Sequence, residues 1–569
     1  MAVRALDRVE RLLGKLYGKH EGTLAFERIR LLMVSAAKRL PPSTTERLPD
    51  EKEIVLITYA DTLRQPEQRP LSTFYTFAQR YLKQTVSTIH FLPFFPFSSD
   101  DGFSVIDYMQ IDPAVGSWDD VHAFKADFRL MLDWVINHIS AQSPWFEAYL
   151  AAEPGYQRLA IEVDATEDLS MVTRPRSLPL LTPYKKKDGR LVRLWTTFSA
   201  DQIDLNFRSI DVLVDMVRVM LAYVEHGADI LRLDAIAYLW KEIGTTCIHL
   251  PQTHMMVKLF RAILDAIAPH VLLITETNVP HRENISYFGD AGDEAQMVYN
   301  FSLPPLLLHC ILTEDVGYLG RWANTLVLPD RRTTFLNFTA SHDGIGVRPL
   351  EGIIPSEEID TLATVVMANG GAVSYKQNPD GTESPYELNI TYVDAVRGVG
   401  AGGDAIHARR FLATQSIALV LPGVPAIYIH SLLGSRNWDE GVRMTGRART
   451  INRAKLDMND LVCQIENPET FRYKVFSAYR TMIEVRGAQP AFHPKAEFDV
   501  LEVDRRVFAI ARHGGGQRLL ALTNIASNDV TVDVGMLAAG PTRDLISKRV
   551  FAPGVVTMKP YDVLWLTPA

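Results

Sequence analysis

Short apolar runs alternate with amphipathic stretches from about residue 53 onward. Residues 53–59, 88–93 and 129–138 are β-prone runs of strand length, and residues 75–82, between two of them, have helical apolar spacing. Repeated strand–helix units predict a parallel sheet. Because polar residues follow several of these strands, we predict that the sheet closes into a (β/α)8 TIM barrel, an α/β fold.

Three later apolar runs each end in a carboxylate. Arg232 and Asp234 lie in one predicted strand, Glu276 ends the next, and His342 and Asp343 follow a third. Burying such charges is costly unless they are paired or face a cleft. Since barrel enzymes place their chemistry at the carboxyl ends of the strands, we predict one active site rich in carboxylates.

Other patterns interrupt or flank the barrel rhythm. Prolines within 173–183 forbid a helix there, residues 378–381 (Asn-Pro-Asp-Gly) form a turn motif, and short alternating strands begin near residue 490. The predicted division is a helical N-terminal extension (1–53), a catalytic barrel (54–137, 209–343 and 408–490), two inserted excursion domains called B (138–208) and B' (344–407), and a C-terminal all-β domain (491–569).

Composition narrows the class of protein. The net charge is −8 and the pI about 6.0, which disfavours a nucleic-acid surface. Three cysteines without a CxxC pair predict no structural zinc and no disulfide framework. The charged start and the lack of a run of about 18 apolar residues predict no signal peptide and no membrane span. We expect a cytoplasmic monomer or homodimer that needs no metal and no cofactor, since the chain has no dinucleotide or Walker motif.

Four motifs in order resemble the active-site motifs of glycoside hydrolase family 13, the α-amylase superfamily. They are Asp133-x-Val-x-Asn137-His138, Arg232-x-Asp234, Glu276 and His342-Asp343. The resemblance runs from about residue 54 to the end of the chain. Within the superfamily, residues 93–97, 101–107, 302–309 and 341–346 resemble the sucrose phosphorylase group. That resemblance implies glucosyl transfer between an α-glucoside and phosphate.

Two carboxyl groups are enough for this chemistry. A retaining mechanism needs a nucleophile at the anomeric carbon and an acid for the leaving oxygen. We assign Asp234 as nucleophile, since Arg232 on the same face of the strand keeps it ionised. Glu276 is assigned as acid and then base, so we expect the pKa of Glu276 to be raised and that of Asp234 not to be. Asp343 is the third catalytic residue, which holds glucose hydroxyls and helps to distort the ring.

The resemblance assigns further residues to binding. Those expected to hold glucose are Asp100, Phe103, His138, Phe198, Arg232, His342 and Arg449. Those expected around phosphate and the acceptor are Arg176, Tyr238, Lys241, Asn278, Tyr386 and Glu387. An arginine fork suits phosphate, although a surface ion pair is the alternative for Arg176. Loop packing is the alternative for Phe103 and Phe198.

Two acceptor positions depart from the sucrose phosphorylases. Asn278 replaces a typical His and Glu387 a typical Gln, whereas residues 173–183, 240–250 and 276–281 resemble the glucosylglycerate phosphorylases. Their acceptor, glycerate, carries a carboxylate and needs a cation, for which Lys241 and Arg449 are candidates.

We therefore predict reversible phosphorolysis of 2-O-(α-D-glucosyl)-D-glycerate to α-D-glucose 1-phosphate and D-glycerate. Sucrose or glucosylglycerol phosphorolysis, plain α-glucoside hydrolysis and a non-catalytic partner-binding role stay as alternatives. The substrates are small molecules: an α-glucoside, inorganic phosphate, glucose 1-phosphate and glycerate. The stretch 376–404, with its Gly-rich segment 398–403, is a candidate mobile loop that exchanges acceptor-binding and phosphate-binding states.

Overall fold

The computed structural model describes residues 2–40, 47–176, 178–378, 382–398, 403–535 and 540–569. Most of the turn predicted at 378–381 and of the Gly-rich segment 398–403 lies outside the described residues. Along the described ranges, the longest helices are all too short or too polar to cross a bilayer.

Eight parallel strands close into a barrel, which confirms the predicted fold class. The strands are β1 (Val55–Thr58), β2 (Thr88–Phe91), β3 (Arg129–Val135), β4 (Ile230–Asp234), β5 (Leu272–Thr275), β6 (Met297–Tyr299), β7 (Thr334–Phe338) and β8 (Val424–Tyr428). Neighbours in the chain are neighbours in the barrel, and β1 closes it by pairing with both β2 and β8. β6 has only three residues, too few to show as a strand pattern in the sequence.

Helices surround the barrel because each buries one apolar face against the strands. They are Pro70–Tyr81, Trp118–Phe124, Ile210–Glu225, Pro251–Ile267, His281–Ile285, Leu303–Thr313, Gly317–Ala323, Gly403–Val420, Met458–Glu466 and Phe471–Gly487, with the short Ile429–Leu432 and Asp439–Thr445 after β8. Gly403–Val420 begins five residues before the point at which the barrel was predicted to resume.

The N-terminal segment Ala2–Ala37 is helical, as its pattern predicts, and consists of two helices joined at Gly18. Gly18 has φ 76°, and Gly22 lies so close to the Leu13 carbonyl that a side chain there would clash at 2.7 Å. The two helices therefore fold back on each other. The Tyr17 hydroxyl donates to the Phe207 carbonyl at 2.7 Å, which ties the hairpin to the barrel.

Two insertions follow the carboxyl ends of β3 and β7. The first contains the helix Pro144–Leu150 and the strand pairs His138–Ser140 with Gln202–Asp204 and Leu181–Lys185 with Leu191–Trp195. The second contains the helices Ser356–Ala368 and Tyr392–Ala395 and a hairpin of Ala372–Gln377 with Glu383–Asn389, which Ile345–Gly346 extends. Both insertions thus lie at the barrel end where chemistry was predicted. The domain boundaries themselves stay predictions.

The C-terminal part is all β, as predicted. Its main sheet has six antiparallel strands in the order Glu497–Asp504, Val507–Gly514, Gln517–Asn524, Val563–Pro568, Thr542–Asp544 and Val550–Phe551. Val530–Asp533 pairs with Val555–Met558 in a second, two-stranded sheet. Buried Trp565 lies between this domain and the barrel, where its indole N–H donates to the Ser416 hydroxyl at 3.3 Å.

Candidate active site

The strand ends and both insertions line one cavity of about 1110 Å³, its open mouth included. Its lining combines aromatic rings with a few charged and polar groups, as small-molecule sites do. The structure brings together here all but one of the predicted site residues: Asp100, Phe103, His138, Arg176, Phe198, Arg232, Asp234, Tyr238, Glu276, Asn278, His342, Asp343, Tyr386, Glu387 and Arg449.

Arg232 occupies the centre of the carboxylate cluster. Its Nη1 donates to Asp234 Oδ1 at 2.8 Å and also to Asp133, and its Nη2 lies 3.9 Å from Glu276 Oε2. Asp133 is held in turn by His90, 2.7 Å away. Alternation along β4 places Arg232 and Asp234 on the same face, toward the cavity. The cluster therefore fixes the two predicted catalytic carboxyls around one guanidinium.

Glu276 is suited to proton transfer near neutral pH. Burial raises its pKa to about 7; the negative charges of Asp234 and Asp343 add to this and Arg232 opposes it. The backbone N–H of Ala235 donates to Glu276 Oε2 at 3.0 Å and fixes the orientation of the carboxyl group. The raised pKa is the one expected of an acid that must carry a proton and then lose it.

The expectation that the pKa of Asp234 is not raised is wrong. Burial raises the pKa of Asp234, and the attraction of Arg232 offsets this only in part. Burial is the largest cause, and the negative charge of Asp133, which shares Arg232 with Asp234, adds to it. Burial therefore raises the pKa of both Asp234 and Glu276.

The predicted glucose side is built on stacked rings. The Phe103 ring stacks on His342, with ring centres 4.6 Å apart and planes within 5°. His342 Nε2 lies 3.4 Å from Asp343 Oδ2, and burial lowers the pKa of His342 to about 3, so the ring is neutral. His138 Nε2 lies 2.9 Å from the Phe103 carbonyl oxygen. This wall presents an apolar face with a few fixed polar groups, as sugar sites do.

Arg449 lies at the cavity but is fully paired. Its Nη1 lies 2.8 Å from Asp343 Oδ1, and its Nε donates to Glu387 Oε1 at 2.8 Å, while Nη2 donates to the other oxygen of Glu387. Burial opposes ionisation of Asp343, but Arg449, with His342 and Arg453, holds its pKa below the ordinary value. Glu387, at the position where sucrose phosphorylases typically carry Gln, thus occupies the guanidinium fork.

The predicted acceptor side contains less constrained groups. Arg176 Nη2 lies 3.7 Å from Asp100 Oδ2, and its guanidinium lies over the Phe198 ring at 5.6 Å. Tyr238 meets Phe198 edge to face at 5.5 Å. Asn278 Oδ1 is buried without a hydrogen-bond partner. An unpartnered polar atom at a cavity wall is available to a ligand.

Lys241 is the predicted site residue that does not face the cavity, and its assignment to the acceptor is wrong. Its buried Nζ lies 2.5 Å from Asp204 Oδ2 and donates to Asn137 Oδ1 at 2.8 Å. Asp204 belongs to the first insertion, and Asn137 directly precedes that insertion in the chain. Lys241 neutralises a buried carboxylate instead of binding a substrate.

Sequence reasoning missed Arg348. It follows β7 in the run Gly344-Ile-Gly-Val-Arg348, and only 17% of its side chain is exposed. It lies within hydrogen-bonding reach of the Tyr238 hydroxyl. A single arginine after an apolar, glycine-containing run was the available signal.

Comparisons with known proteins identify the family to which the chain belongs. The family model for the α-amylase catalytic domain matches residues 79–308. A glucosylglycerate phosphorylase of Spirochaeta thermophila is 45% identical over 99% of this chain and 99% of its own. One from Escherichia coli K12 is 44% identical over 97% and 98%. The crystal structure of sucrose 6F-phosphate phosphorylase from Thermoanaerobacter thermosaccharolyticum superimposes with a TM-score of 0.73 at 24% identity, covering 85% of this chain and 95% of the other, which shows the shared fold.

Proposed function

This chain belongs to the glucosylglycerate phosphorylase family of the α-amylase superfamily, and we propose that it catalyses the reversible phosphorolysis of 2-O-(α-D-glucosyl)-D-glycerate to α-D-glucose 1-phosphate and D-glycerate. The observation that carries the proposal is identity of 44–45% to proteins of that name over nearly the whole of both chains. It is an enzyme that transfers a glucosyl group.

The first step forms a covalent intermediate. The Asp234 carboxylate attacks the anomeric carbon, the bond from that carbon to the glycerate oxygen breaks, and protonated Glu276 gives its proton to the leaving oxygen. A pKa of about 7 for Glu276 supports this role, because about half of the molecules carry the proton at neutral pH.

The second step returns the enzyme to its starting state. D-Glycerate leaves, phosphate enters the same space, and a phosphate oxygen attacks the anomeric carbon while the bond to Asp234 breaks. Glu276, now ionised, accepts the proton of the attacking phosphate hydroxyl. Two inversions give overall retention, so α-glucoside yields α-glucose 1-phosphate.

Binding roles follow from position. The stacked pair Phe103 and His342, with Asp343, supports a glucose site beside Asp234. Arg176 and Tyr386 also line the cavity, and we assign phosphate to them. The partners are then small molecules, and the free Cys463 on the surface suits the reducing cytoplasm. We continue to expect that the protein is a monomer or a homodimer.

An acceptor panel tests the function. Phosphate release from α-glucose 1-phosphate is measured with D-glycerate, fructose, glycerol or water as the only acceptor. Release at least tenfold faster with D-glycerate is expected. Preference for fructose would make the protein a sucrose phosphorylase, and equal release with water alone would make it a hydrolase.

A further inference from the structure

Two anions must use the acceptor space in turn. In the proposed function, on which this inference rests, D-glycerate leaves the position that phosphate then enters, because both bond to the same anomeric carbon. A cation that serves one anion is therefore in place for the other. The acceptor side needs cations that are not already neutralised by the protein.

Most cations at the cavity fail that requirement. Arg232, Arg449 and Arg453 each donate directly to at least one carboxylate. Two arginines at this end of the barrel, Arg176 and Arg348, are held differently. Arg176 lies 3.7 Å from Asp100 and Arg348 lies 3.8 Å from Glu283, beyond hydrogen-bonding distance in both cases.

Arg348 is also largely buried. Its side chain is 17% exposed, and Glu283 Oε2, its nearest carboxylate oxygen, also lies 3.2 Å from His249 Nε2. A buried guanidinium without a directly bonded anion is unfavourable. An anionic ligand nearby would relieve that cost.

The backbone ties Arg348 to the acceptor wall. The Val347 N–H donates to the Tyr386 carbonyl at 3.1 Å, and Gly346 packs so closely on Asn278 that a side chain there would clash. The Arg348 guanidinium reaches the Tyr238 hydroxyl. Because a guanidinium can only donate, the Tyr238 oxygen accepts, and its own O–H is left to donate into the cavity.

We propose that Arg348 makes this enzyme selective for anionic acceptors. It is a positioning residue: it orients and polarises the Tyr238 hydroxyl toward an oxygen of the acceptor carboxylate or of phosphate, and its charge attracts both. Arg176, whose guanidinium lies over the Phe198 ring that Tyr238 contacts edge to face, supplies the second cation. A neutral acceptor such as glycerol gains nothing from this charge.

The test separates acceptor choice from glucosyl transfer to the enzyme. α-D-Glucosyl fluoride serves as donor, since its small leaving group makes no use of a carboxylate site. Transfer to D-glycerate and to glycerol is measured in the same sample, and the ratio of the two rates is the readout. Misfolded protein lowers both rates equally and leaves the ratio unchanged.

Arg348→Gln is expected to lower the glycerate-to-glycerol ratio by about 10- to 100-fold, the worth of one hydrogen bond to a charged group. Arg348→Lys, which keeps the charge, should recover part of the ratio. Glu283→Gln removes the competing carboxylate and should raise the ratio or hold it. Arg282→Gln, at an exposed neighbour in the same region, is the control for losing a positive charge and should leave the ratio within about twofold.

The outcomes distinguish this inference from the function on which it rests. If the wild-type protein prefers D-glycerate but Arg348→Gln keeps the wild-type ratio within twofold, the role of Arg348 is refuted and the function stands. If the wild-type protein itself shows no preference for D-glycerate, the proposed function fails and the inference fails with it.

Discussion

Replacing Glu276 by Gln should stabilise the folded protein while it removes activity. The carboxyl group is held in a site that disfavours its charge, and Gln keeps its shape without that charge. The stabilisation should depend on pH, because the cost exists only where Glu276 is ionised.

The size of the effect follows from the pKa. The pKa of Glu276 is about 7 in the folded protein and 4.5 in an ordinary environment. Each pKa unit corresponds to about 1.4 kcal/mol, so ionisation costs the folded state about 3 kcal/mol relative to the unfolded chain. Because the folded pKa is raised, the contribution of Glu276 to the free energy of unfolding is most favourable below pH 4.5. It becomes less favourable as pH rises from 4.5 to 7 and stays constant above 7.

The assay is urea unfolding of both proteins from pH 4.5 to 8.5, with Glu153→Gln at an exposed position as the control for losing a carboxylate. The free energy of unfolding of Glu276→Gln should exceed that of wild type by about 3 kcal/mol at pH 8 and match it near pH 4.5. A difference that stays constant across the range, or a variant less stable at pH 8, would refute the reasoning.

Four further outcomes are expected. Asp234→Ala should lower phosphorolysis by at least about 10⁴-fold, since the covalent step is lost, as steady-state rates would show. The phosphorolysis rate should fall as pH rises through about 7, where Glu276 loses the proton it must donate, and a pH–rate profile flat to pH 9 would contradict this. Lys241→Met should destabilise the fold by about 3–5 kcal/mol in urea, because Asp204 is left as an unpaired buried charge. Gly18→Ala should cost about 1–3 kcal/mol through backbone strain alone, since its Cβ would meet no neighbour, and thermal unfolding would show it.

Much of the site could be predicted because strand ends in a parallel barrel converge. Asp234 and Asp343 are 109 positions apart in the chain, with Glu276 between them. Each of the three follows an apolar run, and that pattern alone places them at one end of the barrel. The resemblance added the loop residues, such as Arg176 and Tyr386, which no local pattern marks as neighbours of the strand ends.

The failures have one physical cause, which is that a sequence does not show how charges are paired. Lys241 looked available to an acceptor, but Asp204, 37 residues earlier, neutralises it. Asp234 was expected to be kept ionised by Arg232, whose second partner is Asp133 on the neighbouring strand. Arg348 was missed for the converse reason, because its weak pairing appears only in three dimensions.

Glu387 connects these points to specificity. With Gln at that position, the Nε and Nη2 groups of Arg449 would face no carboxylate, and the charge of Arg449 would be open to the cavity. Glu387 pairs with both groups, so Arg449 serves to hold Asp343 rather than to attract an acceptor. Under our proposal the attraction of an anionic acceptor comes from cations held elsewhere, and the loop after β7 supplies Arg348 beside Tyr238. Glu387 on the second insertion and Arg348 after β7 together fit the proposal that the charge open to an anionic acceptor is that of Arg348 rather than that of Arg449.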